Sequence, residues 1–219
     1  MMFQTPDIKN EDIEAHANEL LSGYFESEQK PLSFPIPVEE IAEFYLGYTL
    51  TYTTDGMFSD PNVLGGICFN TDTIFINLSV ESHEGRHAFT IAHEIGHHVL
   101  HKQYFIEQNE LLCRNQDKPN YELQADHFAA ALLLPAQFIH DNWTHKRPKT
   151  IYQAYSLGKT FLAEHGIDNV SLSMFTNRMI ELGYFTHLNF QKGKPKYKRQ
   201  HFVLWKIKQL INRISPFQL

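Results

Sequence analysis

The stretch Phe89-Thr90-Ile91-Ala92-His93-Glu94-Ile95-Gly96-His97-His98-Val99-Leu100 decides how this 219-residue chain is read. It is apolar, helical in pattern and part of a longer helical run over residues 84–101. At about 100° per residue, His93 and His97 lie about 40° apart on one face, so both imidazoles can reach one metal ion. Glu94 sits beside them, near the open coordination position. Nitrogen ligands on an ion, with a carboxylate to take a proton from water, are what a zinc hydrolase needs.

The same H-E-x-x-H spacing occurs a second time, in Ser82-His83-Glu84-Gly85-Arg86-His87. Surroundings separate the two. A metal-site helix is buried, and Ile91, Ala92, Ile95, Gly96, Val99 and Leu100 flank the downstream copy. Glu81, Ser82 and Arg86 flank the upstream one, where an arginine between two ligands would repel a cation. His83 and His87 are therefore expected near the exposed start of the helix.

Catalytic zinc takes three protein ligands and keeps one position for water. A third ligand is offered by Tyr121-Glu122-Leu123-Gln124-Ala125-Asp126, on a helix whose apolar face holds Ala125, Phe128, Ala129 and Leu132. Glu122 is placed to ligate. Asp126, one turn on, is placed to accept a hydrogen bond from the far nitrogen of a ligand histidine and so fix its ring. The plainer alternative makes both acids solvated groups on an amphipathic helix. His101 is a rival third ligand from the first helix, although three ligands at successive turns strain a tetrahedral site; otherwise it contacts solvent or supports a ligand. His98 is expected to point away and His127 to face solvent.

Outside these helices, residues 10–28 have helical spacing and residues 31–37 (PLSFPIP) break it. A short helix follows over 38–46 and ends at Gly47. Residues 48–53, 64–69 and 73–78 read as strands, the last two joined through Asn70-Thr71-Asp72 as a hairpin. Helices are expected over 120–134, closed by Pro135, and over 150–165 and 171–182. The fold class is α+β: mostly helical, with a small antiparallel sheet. The expected division is a helical extension at 1–30, a core at 31–145, a small helical segment at 146–190 and a basic tail at 191–219.

At this density of motif the chain resembles the ImmA/IrrE family of zinc metallopeptidases. The resemblance is carried by the run from Arg86 through His97 to Leu100-His101, by Glu122-Leu123-Gln124-Ala125-Asp126-His127-Phe128-Ala129-Ala130, and by Leu132-Leu133-Leu134-Pro135. The upstream Pro35-Ile36-Pro37-Val38-Glu39-Glu40-Ile41-Ala42, then Leu46-Gly47, is similar to that family's opening, and residues 170–184 to the helical segment after its core. The resemblance implies a zincin-like core with zinc on His93, His97 and Glu122, and Glu94 as general base. It also implies a helix-turn-helix repressor as the protein cut. For the oxyanion donor, His127, His140, Tyr152 and Tyr184 are all available.

Composition is ordinary for a soluble globular protein with a real core: 42% hydrophobic and 20% charged residues, and two cysteines, Cys68 and Cys113. A disulfide framework is not expected, and a reducing cytoplasm fits. No signal peptide and no membrane span is expected. The net charge is −6, but the residues after Glu181 carry +8 and the rest −14. That basic end (KGKPKYKR, then an amphipathic pattern over 202–214) offers a rival reading as a DNA-binding, partner-binding or membrane-surface segment. The other rival is a zinc-containing regulatory module that recognises a repressor without cutting it.

Overall fold

The computed structural model describes residues 7–53, 63–78, 83–106, 112–113 and 119–186. Helix α1 (Asn10–Ser27) comes first, followed by one α turn, α2 (Val38–Glu40), which widens into a π turn at Ile41–Tyr45. Strands β1 (Thr49–Thr53), β2 (Gly65–Cys68) and β3 (Thr73–Asn77) precede the long helix α3 (Glu84–Phe105). Then come β4 (Leu112–Cys113), α4 (Pro119–Leu133), α5 (Ala136–Asn142), α6 (Ile151–Glu164) and α7 (Leu172–Glu181). The fold is α+β and mostly helical. No helix among the described residues is long and apolar enough to cross a membrane. The basic segment over 191–219 lies outside the described residues.

The sheet has the order β1-β3-β2-β4. The hairpin at 70–72 forms as its turn residues dictate, with β2 antiparallel to β3. The sheet as a whole is mixed, however, not antiparallel, because β1 runs parallel to β3, with Thr49 opposite Thr73 and Thr53 opposite Asn77. Eleven residues separate β1 from β2, enough for the chain to step past a neighbouring position that β3 then fills. Strand alternation reports which face is buried, not which neighbour is chosen.

Helix α3 is the centre of the molecule. Residues 90–97 are buried all round, with β2 and β3 on one side and α4 on the other. Gly96 makes the crossing with α4 close: a methyl there would stand 3.2 Å from both the Ala125 Cα and the Phe128 Cβ. A side chain would push the two helices apart, and with them the residues they carry.

Helix α1 packs along α4, and a buried ion-pair cluster ties both to α7. Arg178, completely buried, donates through Nη2 to Glu14 Oε2 at 2.8 Å and through Nη1 to Glu181 Oε2 at 3.1 Å; Nη1 also bonds Glu14 Oε1, and Nε reaches the Leu134 carbonyl at 3.0 Å. His127 joins them through Nδ1 to Glu181 and through Nε2 to Glu14 at 3.5 Å. His127 is therefore inside, not facing solvent as expected from the sequence. Burial alone would lower its pKa, but bonds to Glu14 and Glu181 push it up to about 9. For Glu14, burial would raise the pKa, yet His127 and Arg178 bring it down to about 2.

These shifts fix how the cluster responds to pH. His127 contributes stability that is complete below its ordinary 6.5 and lost as pH rises through about 9. Glu14 contributes stability that is complete above its ordinary 4.5 and lost as pH falls through about 2. Urea midpoints should therefore fall between pH 6.5 and 9.5 in the wild type, and more shallowly in His127→Gln. Parallel profiles for the two proteins would remove His127 as a charged partner.

Candidate metal centre

Two elements build the site, and each does so through helical spacing. His93 and His97 leave α3 one turn apart, and Glu122 leaves the first turn of α4 opposite them. The two Nε2 atoms stand 3.1 Å apart. Glu122 Oε2 lies 3.2 Å from Nε2 of His93, and Oε1 lies 3.6 Å from Nε2 of His97. The three donor atoms all lie within 4.8 Å of one another, and all three residues are buried.

Hydrogen bonds on the far side of each ring show which nitrogen carries the proton. His93 Nδ1 is 2.9 Å from Asp126 Oδ1, a carboxylate oxygen that can only accept, so Nδ1 carries the hydrogen. His97 Nδ1 is 2.9 Å from His101 Nδ1, and His101 Nε2 is 2.9 Å from Gln124 Oε1. With Gln124 accepting, His101 holds its proton on Nε2 and accepts from His97 Nδ1–H. Both Nε2 lone pairs then face each other and a carboxylate. So many lone pairs at 3.1–3.6 Å repel unless a proton or a cation lies among them. Burial would lower the pKa of His93, but Asp126 and Glu122 raise it to about 10. The pocket thus favours a positive charge, and two imidazoles with a carboxylate are the donor set of a catalytic zinc site. The residues fit a metal.

Glu94 is buried beside this group, on the β2 side. Gly65 of β2 makes room for it: a methyl at that position would come within 2.9 Å of Glu94 Oε1, 2.6 Å of Thr90 Cγ2 and 3.2 Å of the Phe75 carbonyl. A cleft of about 990 Å³ opens nearby. Its lining includes Leu64, Thr90, Leu123, Asp126, Asn177 and Glu181, but not the three clustered donors.

Every residue of the downstream motif thus converges, together with Glu122 and Asp126. The upstream copy does not take part: His83 and Arg86 are exposed, while His87 stacks on Tyr52 and faces Glu39 at 3.5 Å. His101 does not join the three donors; it supports His97. His98 does point elsewhere, to the Tyr48 hydroxyl at 2.8 Å, and burial lowers its pKa to about 4, with Lys102 adding to the effect. Of the four oxyanion candidates, His127 is committed to its ion pairs, and His140 and Tyr184 bond each other at 3.2 Å. Tyr152 is exposed. Sequence reasoning passed over Gln124 and Gly65. A lone glutamine on a helix carries no ligand signal, and the close approach at Gly65 exists only once the strand lies on the helix.

A histidine pair one turn apart on a buried helix, facing an acid from a crossing helix, defines a metallopeptidase-type site. Residues 58–165 match the peptidase family model described as the IrrE N-terminal-like domain, which supports membership of that family. The match covers α3 and α4, hence every residue of the centre. Among curated proteins no match is found.

Proposed function

We propose that the chain is a zinc-dependent endopeptidase that cuts a helix-turn-helix transcriptional repressor. The observation that carries the reading is the convergence of His93 Nε2, His97 Nε2 and the Glu122 carboxylate, with both far nitrogens turned outward to partners. His93, His97 and Glu122 would hold a divalent zinc ion, which would supply Lewis acidity toward the scissile carbonyl and toward water. Glu94 takes the proton from the attacking water and passes it to the leaving amine. Its burial against β2 limits the positions its carboxylate can take, which favours a base held ready for one geometry. Asp126 holds His93 in the tautomer that presents Nε2. The free thiol of Cys68 accords with a reducing compartment, the cytoplasm. The repressor as substrate class follows from the family resemblance, and relief of repression is the biological result of the cut.

The test has two arms. Protein purified without added metal should carry about one zinc per chain by elemental analysis. Sub-stoichiometric zinc that incubation cannot restore would overturn the metal centre. Co-expression with a helix-turn-helix regulator encoded beside it, followed by intact-mass analysis, should give two fragments that sum to the regulator plus water.

Asp126→Asn tests the support given to His93. The amide keeps the shape but loses the charge, and changes to such partners typically cost ~10- to 100-fold in affinity or activity. Zinc affinity by chelator competition should fall within that range. An unchanged affinity would leave Asp126 an ordinary acid on α4.

A further inference from the structure

We infer that His101 and Gln124 form a relay that sets the tautomer of His97, and that Gln124 is a positioning residue for the metal centre. The inference rests on the reading of His93, His97 and Glu122 as metal ligands. The two ligand histidines are supported in different ways. Asp126 has no proton to give, so His93 has one arrangement: hydrogen on Nδ1, lone pair on Nε2. His97 leans on a second imidazole, which has two arrangements. In one, His101 donates from Nε2 to the Gln124 oxygen, accepts at Nδ1 from His97 Nδ1–H, and leaves a lone pair on His97 Nε2. In the other, the amide of Gln124 is turned round and its NH₂ donates to His101 Nε2. His101 then donates from Nδ1 to His97 Nδ1, and the proton of His97 moves to Nε2, pointing at His93 and Glu122. Only the first arrangement offers a metal the third donor, the lone pair on His97 Nε2.

Gln124 chooses between them, and it presents its oxygen to His101 at 2.9 Å. The relay is sealed from water. His101 is fully buried, Tyr121 stands edge-on to its ring with centroids 4.8 Å apart, and Phe105 packs on Tyr121 in turn. Water therefore cannot substitute for the amide as acceptor. The relay is also neutral, so it orients His97 without adding a fourth carboxylate to a pocket that already holds Glu94, Glu122 and Asp126.

Gln124→Met is the variant of choice, because it keeps the length and helix preference of the side chain and removes the amide. Two measurements on the full chain decide the matter. Long-range ¹H–¹⁵N spectra of the histidine rings, with and without zinc, should show the wild type with His101 protonated on Nε2 and His97 on Nδ1. In Gln124→Met the His101 ring should lose that single tautomer, and zinc affinity by chelator competition should fall ~10- to 100-fold. His101 protonated on Nδ1 in the wild type would overturn the relay without any variant being needed. So would a Gln124→Met protein with wild-type tautomers and zinc affinity, which would make Gln124 a packing residue. A wild-type chain that takes up no zinc would instead refute the metal-centre reading, while the tautomer of His101 in that metal-free protein would still decide the relay.

Discussion

Glu94→Gln is expected to leave the metal and the fold in place while cleavage of the repressor slows by ~10² to 10⁴-fold or more. The amide nearly matches the carboxylate in shape, so it fits the space beside Gly65, but it cannot take a proton from water. His93→Ala, His97→Ala and Glu122→Ala should fail differently, by losing the metal itself. His83→Ala and His87→Ala should do neither, since Arg86 and exposure separate the upstream motif from the centre. Intact regulator with Glu94→Gln and fragments with the wild type support the peptidase. A repressor released from DNA by both forms, with no fragment from either, would make the chain a zinc-bearing recognition module.

Arg178→Met carries the largest expected effect on stability. The substitution removes a fully buried cation and leaves Glu14, Glu181 and the Leu134 carbonyl facing one another across an apolar side chain. Removing one partner of a buried pair costs about 3 to 5 kcal/mol; His127 still faces both carboxylates, which puts the loss at the low end of that range. Urea denaturation should show that loss as a lower midpoint with little change in slope. A loss under about 1 kcal/mol would mean that water reaches the cluster readily. The double variant Glu14→Gln with Arg178→Met should recover part of the loss, since it removes opposite charges together.

The cluster that could hold a metal was legible because its signals are local. His93, Glu94 and His97 sit within five residues, and Glu122 and Asp126 within another five, each group on a helix whose period places it on one face. The hairpin at 70–72 and the Ser171 cap of α7, whose hydroxyl accepts from the Met174 amide, are local in the same sense. What could not be read depends on pairing across long stretches of chain. The parallel partnership of β1 with β3 is one case. The fate of His127 is another: its partners, Glu14 on α1 and Glu181 on α7, lie far from it in the sequence. Helix α5 went unread because seven residues after Pro135 give less than two full periods. The widening of the second helix into a π turn at Ile41–Tyr45 left no trace in its apolar spacing.

The bond between Glu14 and Arg178 spans 164 residues of chain. On a ribosome adding ~5 to 20 residues per second, the first helix therefore waits roughly 10 to 30 s for its countercharge to be made. Late in that interval α4, which carries both Glu122 and Asp126, already has α1 to pack against but lacks the tie to α7 that Arg178 completes.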